Sequence, residues 1–94
     1  MFTPIYSPDS PPPAGTYSPG ILIGNLLFIS GQSPFDVSGK RVGETFADQT
    51  RKTFRNREAI AAAANTSLGN KIRYGVYLCC FDDFAEFNEI AHEF

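Results

Sequence analysis

Residues 21–32 read Ile21-Leu22-Ile23-Gly24-Asn25-Leu26-Leu27-Phe28-Ile29-Ser30-Gly31-Gln32. Two short apolar runs are broken by Gly24-Asn25, a dipeptide that tolerates the positive φ of a tight turn, so the stretch predicts a β-hairpin. Both arms are apolar at nearly every position. That predicts burial on both faces of the sheet rather than one face turned to water.

Working outward, residues 7–20 carry Pro8, Pro11, Pro12, Pro13 and Pro19. Proline has no amide donor and is kept out of helices and central strands, so residues 1–20 read as a Pro-rich N-terminal loop or leader. On the other side, Asp36-Val37-Ser38-Gly39-Lys40 has turn chemistry, Asp by bonding its own backbone and Gly by accepting positive φ. Thr45 followed by Asp48 has the form of a helix N-cap, and the segment to Ala64 is rich in Ala and free of Gly and Pro. Its apolar stripe runs Phe46, Thr50, Phe54 or Thr53, Arg57, Ile60 or Ala61, and Ala64. Arg57 interrupts it, and so either snorkels to the edge or finds a partner.

After the turn-rich residues 65–70, Ile72, Tyr74, Val76 and Leu78 alternate with Arg73, Gly75, Tyr77 and Cys79, the period of a strand. Asp82 or Asp83 then caps a final helix that packs through Phe84, Phe87, Ile90 or Ala91, and Phe94. The order is strand, strand, helix, strand, helix. Three strands with helices on one face make an unfinished α+β sheet whose edge needs cover.

With 94 residues there is room for one domain, 1–94, and its core must be thin, so a partner subunit would help. A hydrophobic fraction of 43% argues against disorder. The net charge of -2 and a pI near 5.2 give no basic surface for nucleic acid, and the cations Arg51, Lys52, Arg55 and Arg57 read as a solvated helix face. No stretch has the length of a membrane span and the N-terminus lacks a signal pattern, so a cytoplasmic protein without membrane contact is expected. Cys79 and Cys80 are adjacent, which strains a disulfide between them. With the single His92 they fall short of a zinc site, and they read as small apolar residues buried at a strand end.

Four segments, in this order and spacing, carry a family likeness: Ala14-Gly15-Thr16-Tyr17-Ser18; Gly24 to Gln32; Gln49-Thr50-Arg51 with Asn56 following; and Phe84-Ala85-Glu86-Phe87-Asn88-Glu89. Together they resemble the RidA (YjgF) family over nearly the whole chain. The resemblance implies a chorismate-mutase-like α+β subunit with two helices on one face of the sheet, assembled as a homotrimer with clefts between subunits. It implies hydrolysis of reactive 2-imino and 2-enamino acids to 2-keto acid and ammonia, with no cofactor and no metal. It also implies an arginine that grips the substrate carboxylate and a glutamate that orients the attacking water.

Carried over by position, Tyr17 matches the family's pocket tyrosine, Ser30 and Gly31 its pocket-lining pair, and Asn88 its helix asparagine near the cleft. All four are expected to bind substrate. Gln32, Gln49 and Asn56 are assigned to hydrogen bonds that define the fold. The family's arginine lies just beyond the second helix and its glutamate in the last strand, and the sequence reaches Phe94 before either. None of Arg51, Arg55, Arg57 or Arg73 inherits the role, so no catalytic residue is assigned. Thr16, Pro19, Arg57, Asn65 and Lys71 depart from the family pattern. Three functions are therefore weighed: a deaminase completed by those missing strands, a non-catalytic small-molecule-binding or chaperone-like protein, and, with least support from the acidic pI and lone His92, an endoribonuclease or translation inhibitor.

Overall fold

The computed structural model describes residues 2–71 and 73–94. Strands β1 (Phe2–Ile5), β2 (Gly20–Ile23) and β3 (Leu26–Ile29) form an antiparallel sheet in the order β1-β2-β3, followed by helices α1 (Phe46–Ala63) and α2 (Phe84–Ala91). The hairpin falls where the sequence puts it. Ile23 pairs with Leu26 across Gly24-Asn25, and Gly24 takes the positive φ of 57° that the turn requires.

Strand β1 was not foreseen. It is four residues long and contains Pro4, which is tolerated because β1 is an edge strand whose outer side needs no donor. The expectation of burial on both faces is also corrected. Leu27 and Ile29 pack against the core, while Leu26 and Phe28 on the opposite face are 47% and 58% exposed, because no second layer covers that face within one chain.

Helix α1 opens as expected, the Asp48 amide donating to Thr45 Oγ1 at 3.1 Å. It closes on Asn65, at φ 62°, with the Thr66 amide reaching Ala61 O and the Asn65 amide reaching Ala62 O, a left-handed cap made with asparagine in place of glycine. Thr50, Phe54, Asn56, Ile60 and Ala61 are its buried residues. Phe54 is the centre of the core: it stacks on Phe94 at 4.8 Å between ring centroids, lies 5.7 Å from Phe87, and meets Tyr74 edge-on at 6.2 Å. Ala61, Leu68, Ile90 and Ala91 complete the cluster, and α2 reaches it by packing on α1.

Three further expectations fail for identifiable reasons. Residues 73–78 form no strand; Ile72 lies outside the described residues. The segment has no ladder partner among them, although Tyr74 and Leu78 still pack against the core. Cys79 and Cys80 are free, as expected, but exposed rather than buried, since the strand that would have sheltered them is absent there. Neither Asp82 nor Asp83 caps α2 through its side chain. A 3-10 turn, Phe81–Asp83, runs straight into the helix, and Phe84 leaves the core to stack on Phe81 at 5.8 Å. No helix among the described residues is long and apolar enough to cross a membrane.

The polar residues assigned to the fold do that work. Asn56, 1% exposed, donates from Nδ2 to Ser33 O at 3.0 Å and to Phe35 O at 2.9 Å; Gln49 donates to Gly43 O at 3.2 Å and Gln32 to Ser30 O at 3.2 Å. Asn56→Ala removes two bonds, leaving Phe35 O stranded while Ser33 O keeps the Phe35 amide, and is expected to lower stability by about 3 kcal/mol, whereas Thr45→Ala, which removes one exposed cap bond, should cost about 1 kcal/mol. Urea unfolding of the two variants checks the ranking. Equal losses would mean that Asn56 does not pin the loop.

Candidate functional site

The segment before β2 and the loop after β3 converge because β2 and β3 are paired and their ladder continues one step past the strands. The Ser30 amide donates to Pro19 O at 2.9 Å, and the Ser30 hydroxyl donates to Ser18 O. Ser30 thus holds the chain around Tyr17 against the end of β3. Its own proton is committed to that task.

Between the two segments lies a cleft of about 300 Å³ whose walls include Pro11, Pro12, Pro13, Tyr17, Gly31 and Phe35. Tyr17 is 46% exposed, and its phenol oxygen accepts the Ala14 amide at 3.1 Å, which fixes the ring against the proline wall. Gly31 leaves open space: a β-carbon built there would meet no atom within 4 Å. Of the four residues matched by resemblance, Tyr17 and Gly31 line this cleft, and Ser30 stands behind it as a brace. Asn88 is on the exposed side of α2, outside the cleft.

Two contributors were not anticipated as site residues. The proline run forms a wall, and the signal for it was its position just before Tyr17. The Asp36–Lys40 turn supplies Gly39 and carries Phe35. One Asp36 oxygen, Oδ1, accepts from the Ser38 hydroxyl at 2.7 Å, the Ser38 amide at 2.9 Å and the Lys40 amide at 3.0 Å. The Ser38 hydroxyl first, then the Lys40 amide, hold the Asp36 carboxyl below its usual range.

Among the described residues, Tyr17 is the one ionisable side chain on the cleft wall. The cleft therefore offers an aromatic face, rigid prolines, and the polar groups of Gln32 and Ser33, with no carboxylate, histidine or cation among the described residues that line it. His92 is exposed at the end of α2, and no group of three or more His, Cys, Asp or Glu side chains comes together to hold a metal among the described residues.

A second and larger groove, about 640 Å³, runs between β3, α1 and the segment from Thr66 to Gly75. Arg57 points to it. It is half-buried, burial alone pushes its guanidinium down from the ordinary value, and it has neither an ion pair nor a hydrogen bond among the described residues. By contrast, Arg51 is paired with Glu93 at 2.8 Å on the surface between α1 and the end of α2.

Residues 7–94 match the sequence profile of a family described as Endoribonuclease L-PSP. The chain is 43% identical over 91 residues to a RutC family protein of Pyrococcus horikoshii, a match covering 96% of this chain and 72% of that one. It is 28% identical over 91 residues to 2-iminobutanoate/2-iminopropanoate deaminase of Dermatophagoides farinae, covering 96% and 71%. The crystal structure of RidA from an Antarctic Psychrobacter superposes with a TM-score of 0.88 at 36% identity, over 94% of this chain and 72% of that one.

The Asp36 turn makes the cleft sensitive to acid. A carboxyl held low in the folded state stabilises the fold fully above its unfolded pKa, and that contribution is lost as pH falls through the lower, folded value. Acidification below the usual carboxylate range should loosen the turn. Asp36→Ala should flatten this part of the acid limb, while Glu93, held low first by its hydrogen bond from Arg51, still contributes the remainder. Unfolding midpoints over a pH series check this; an unchanged acid limb in Asp36→Ala would remove the turn from the account.

Proposed function

Because the chain belongs to the RidA family, we propose that the cleft bounded by Tyr17 and Gly31 is one wall of a pocket for reactive 2-imino and 2-enamino acids, in a hydrolytic deaminase. The observation that carries this reading is that Tyr17 and Gly31, far apart in sequence and matched independently to the family's pocket, line the same cleft, with Ser30 bracing both. The name of the mite relative, a 2-iminobutanoate/2-iminopropanoate deaminase, supplies the substrate class.

In such a reaction water adds to the carbon of the C=N bond, the nitrogen takes up protons, and the carbinolamine collapses to 2-keto acid with release of ammonia. On this reading Tyr17 offers a flat face and a phenol to the small substrate, and the prolines hold that face in place without the entropy cost of ordering a flexible loop. The carboxylate-gripping arginine and the water-orienting glutamate are groups that none of the cleft's lining residues can replace. A completed site therefore needs them from outside the residues that line this wall.

A non-catalytic binding role is the second reading, and the same neutral lining favours it. RNA cleavage has weaker support, since neither a basic stripe nor a histidine borders the cleft. The setting we assign is cytoplasmic. The assembly we assign is a homotrimer with clefts between subunits; its support is the uncovered apolar face of the sheet, where Leu26 and Phe28 await a partner layer.

Two experiments test these assignments. The 94-residue chain, mixed with 2-iminobutanoate generated in place, should form 2-ketobutanoate no faster than buffer. It should nevertheless bind 2-ketobutanoate with NMR shift changes at Tyr17 and Gly31 that Tyr17→Ala abolishes. No shift change at either residue would sink the cleft, and saturable turnover would show that the chemistry lies in groups assigned no role here. Sedimentation should give a trimer that Phe28→Glu dissociates; a monomer at every concentration would end the trimer reading.

A further inference from the structure

The two segments that form the cleft each contribute one aromatic ring, Tyr17 from the first and Phe35 from the second. Among the described residues the two rings make no stacked or edge-on pair with each other, so the space between them stays open.

Phe35 is half-buried, and its backbone is held more firmly than that of an ordinary loop residue. Its amide donates to Ser33 O at 2.8 Å, its carbonyl accepts from Asn56 Nδ2 at 2.9 Å, it bridges to Arg41, and the Val42 amide closes on Pro34 O at 2.7 Å. Asn56 is 1% exposed, so the backbone under Phe35 is tied to the protein interior. Across the cleft stand Pro11, Pro12 and Pro13, whose rings leave the chain little freedom. Both walls therefore keep their shape. A cleft with fixed walls discriminates by fit, because a guest that matches it spends little free energy on ordering the protein.

A volume of about 300 Å³ is at the lower end of pockets that enclose drug-sized ligands, which leaves room beyond a four-carbon acid. A charged side chain placed here would give up water and find no counter-ion among the described residues that line the cleft, whereas an apolar one gains from the same burial. On the reading given above, the substrate carboxylate is gripped by groups beyond this wall. The wall is then left to the other end of the molecule, its side chain.

We propose that Phe35 is the specificity-determining residue of the cleft, selecting 2-imino acids whose side chain is apolar and larger than the ethyl group of 2-iminobutanoate, branched or aromatic, over those with short or charged side chains. The inference rests on the deaminase reading of the cleft and adds the substrate's side chain to it. The Phe35 ring covers that side chain from one wall, and the prolines cover it from the other.

The 2-keto acids are stable probes of the same shape. NMR titrations of the 94-residue chain compare 2-ketobutanoate, 4-methyl-2-ketopentanoate and 2-ketoglutarate. The branched acid should bind about tenfold tighter than 2-ketobutanoate, the gain expected from burying most of its two further carbons, and 2-ketoglutarate should bind weakest of the three. Nuclear Overhauser effects should connect the methyl groups of the branched acid to the Phe35 ring. Phe35→Ala should bring the branched acid and 2-ketobutanoate within about twofold of each other, while Phe35→Leu, which keeps an apolar side chain, should retain part of the difference. The comparison of ligands and the Overhauser contacts use the unaltered chain, so the test survives any instability of the variants. Equal affinities, a preference for 2-ketoglutarate, missing contacts to Phe35, or a tenfold gap that persists in Phe35→Ala each overturn this assignment while leaving the cleft a binding site. Absence of shift changes at Tyr17 and Gly31 with all three acids overturns the reading of the cleft and this inference with it.

Discussion

Asn56 lies almost wholly inside the protein, two residues along α1 from the aromatic hub Phe54, and its amide nitrogen holds the carbonyls of Ser33 and Phe35. The loop that leaves β3 is held to itself by the Phe35–Arg41 bridge and a few local backbone bonds, and Asn56 is the side chain that ties it to α1 at Ser33 and Phe35. With it, the exit from the sheet is fixed against the helix, and everything bordered by that exit gains a definite place: Gly31 and Phe35 on the cleft wall, and the Asp36 turn beyond. The Asn56 carbonyl oxygen is buried with no partner among the described residues, a local cost accepted for a two-point anchor.

That anchor matters because so little else ties the layers together. The sheet packs mainly on α1, through β3 and, where Gly20 lies against Ile60, through β2, and α2 packs on α1. One face of the sheet, carrying Leu26 and Phe28, is exposed. Residues 73–78 likewise find no ladder partner among the described residues. A strand needs a neighbour for its amides, and alternation of Tyr74 with its flanking residues decides only which way side chains point.

The hairpin, the Thr45 cap, the Asp36 turn and α1 were legible because each is specified by residues adjacent in sequence. Gly24 supplies a positive φ, Thr45 an oxygen for the Asp48 amide, Asp36 an acceptor for the amides that follow it. What stayed hidden depends on distant pairing. Strand β1 exists because β2 offers it an edge, and nothing in Phe2-Thr3-Pro4-Ile5 announces it. Phe84 lies on the helical stripe that includes Phe87, yet the turn before α2 gives it Phe81 as a closer neighbour. In the site, Tyr17 and Gly31 were reached by likeness and not by pattern. Ser30 was found to be a brace because a hydroxyl donating to Ser18 O is a fact of geometry that no spacing encodes. Asn88 was carried over in the same way and stands apart from the cleft.

Charge divides the molecule more sharply than its modest net value suggests. Among the described residues the cleft wall carries no formal charge, and on the proposed reading carboxylate recognition falls to groups beyond that wall. Three of the eight cations, Arg57, Lys71 and Arg73, border the second groove instead, where Arg57 interrupts an otherwise apolar helical stripe. An aliphatic residue there would continue the stripe, whereas the arginine leaves a half-buried guanidinium in the groove at the cost of part of its hydration.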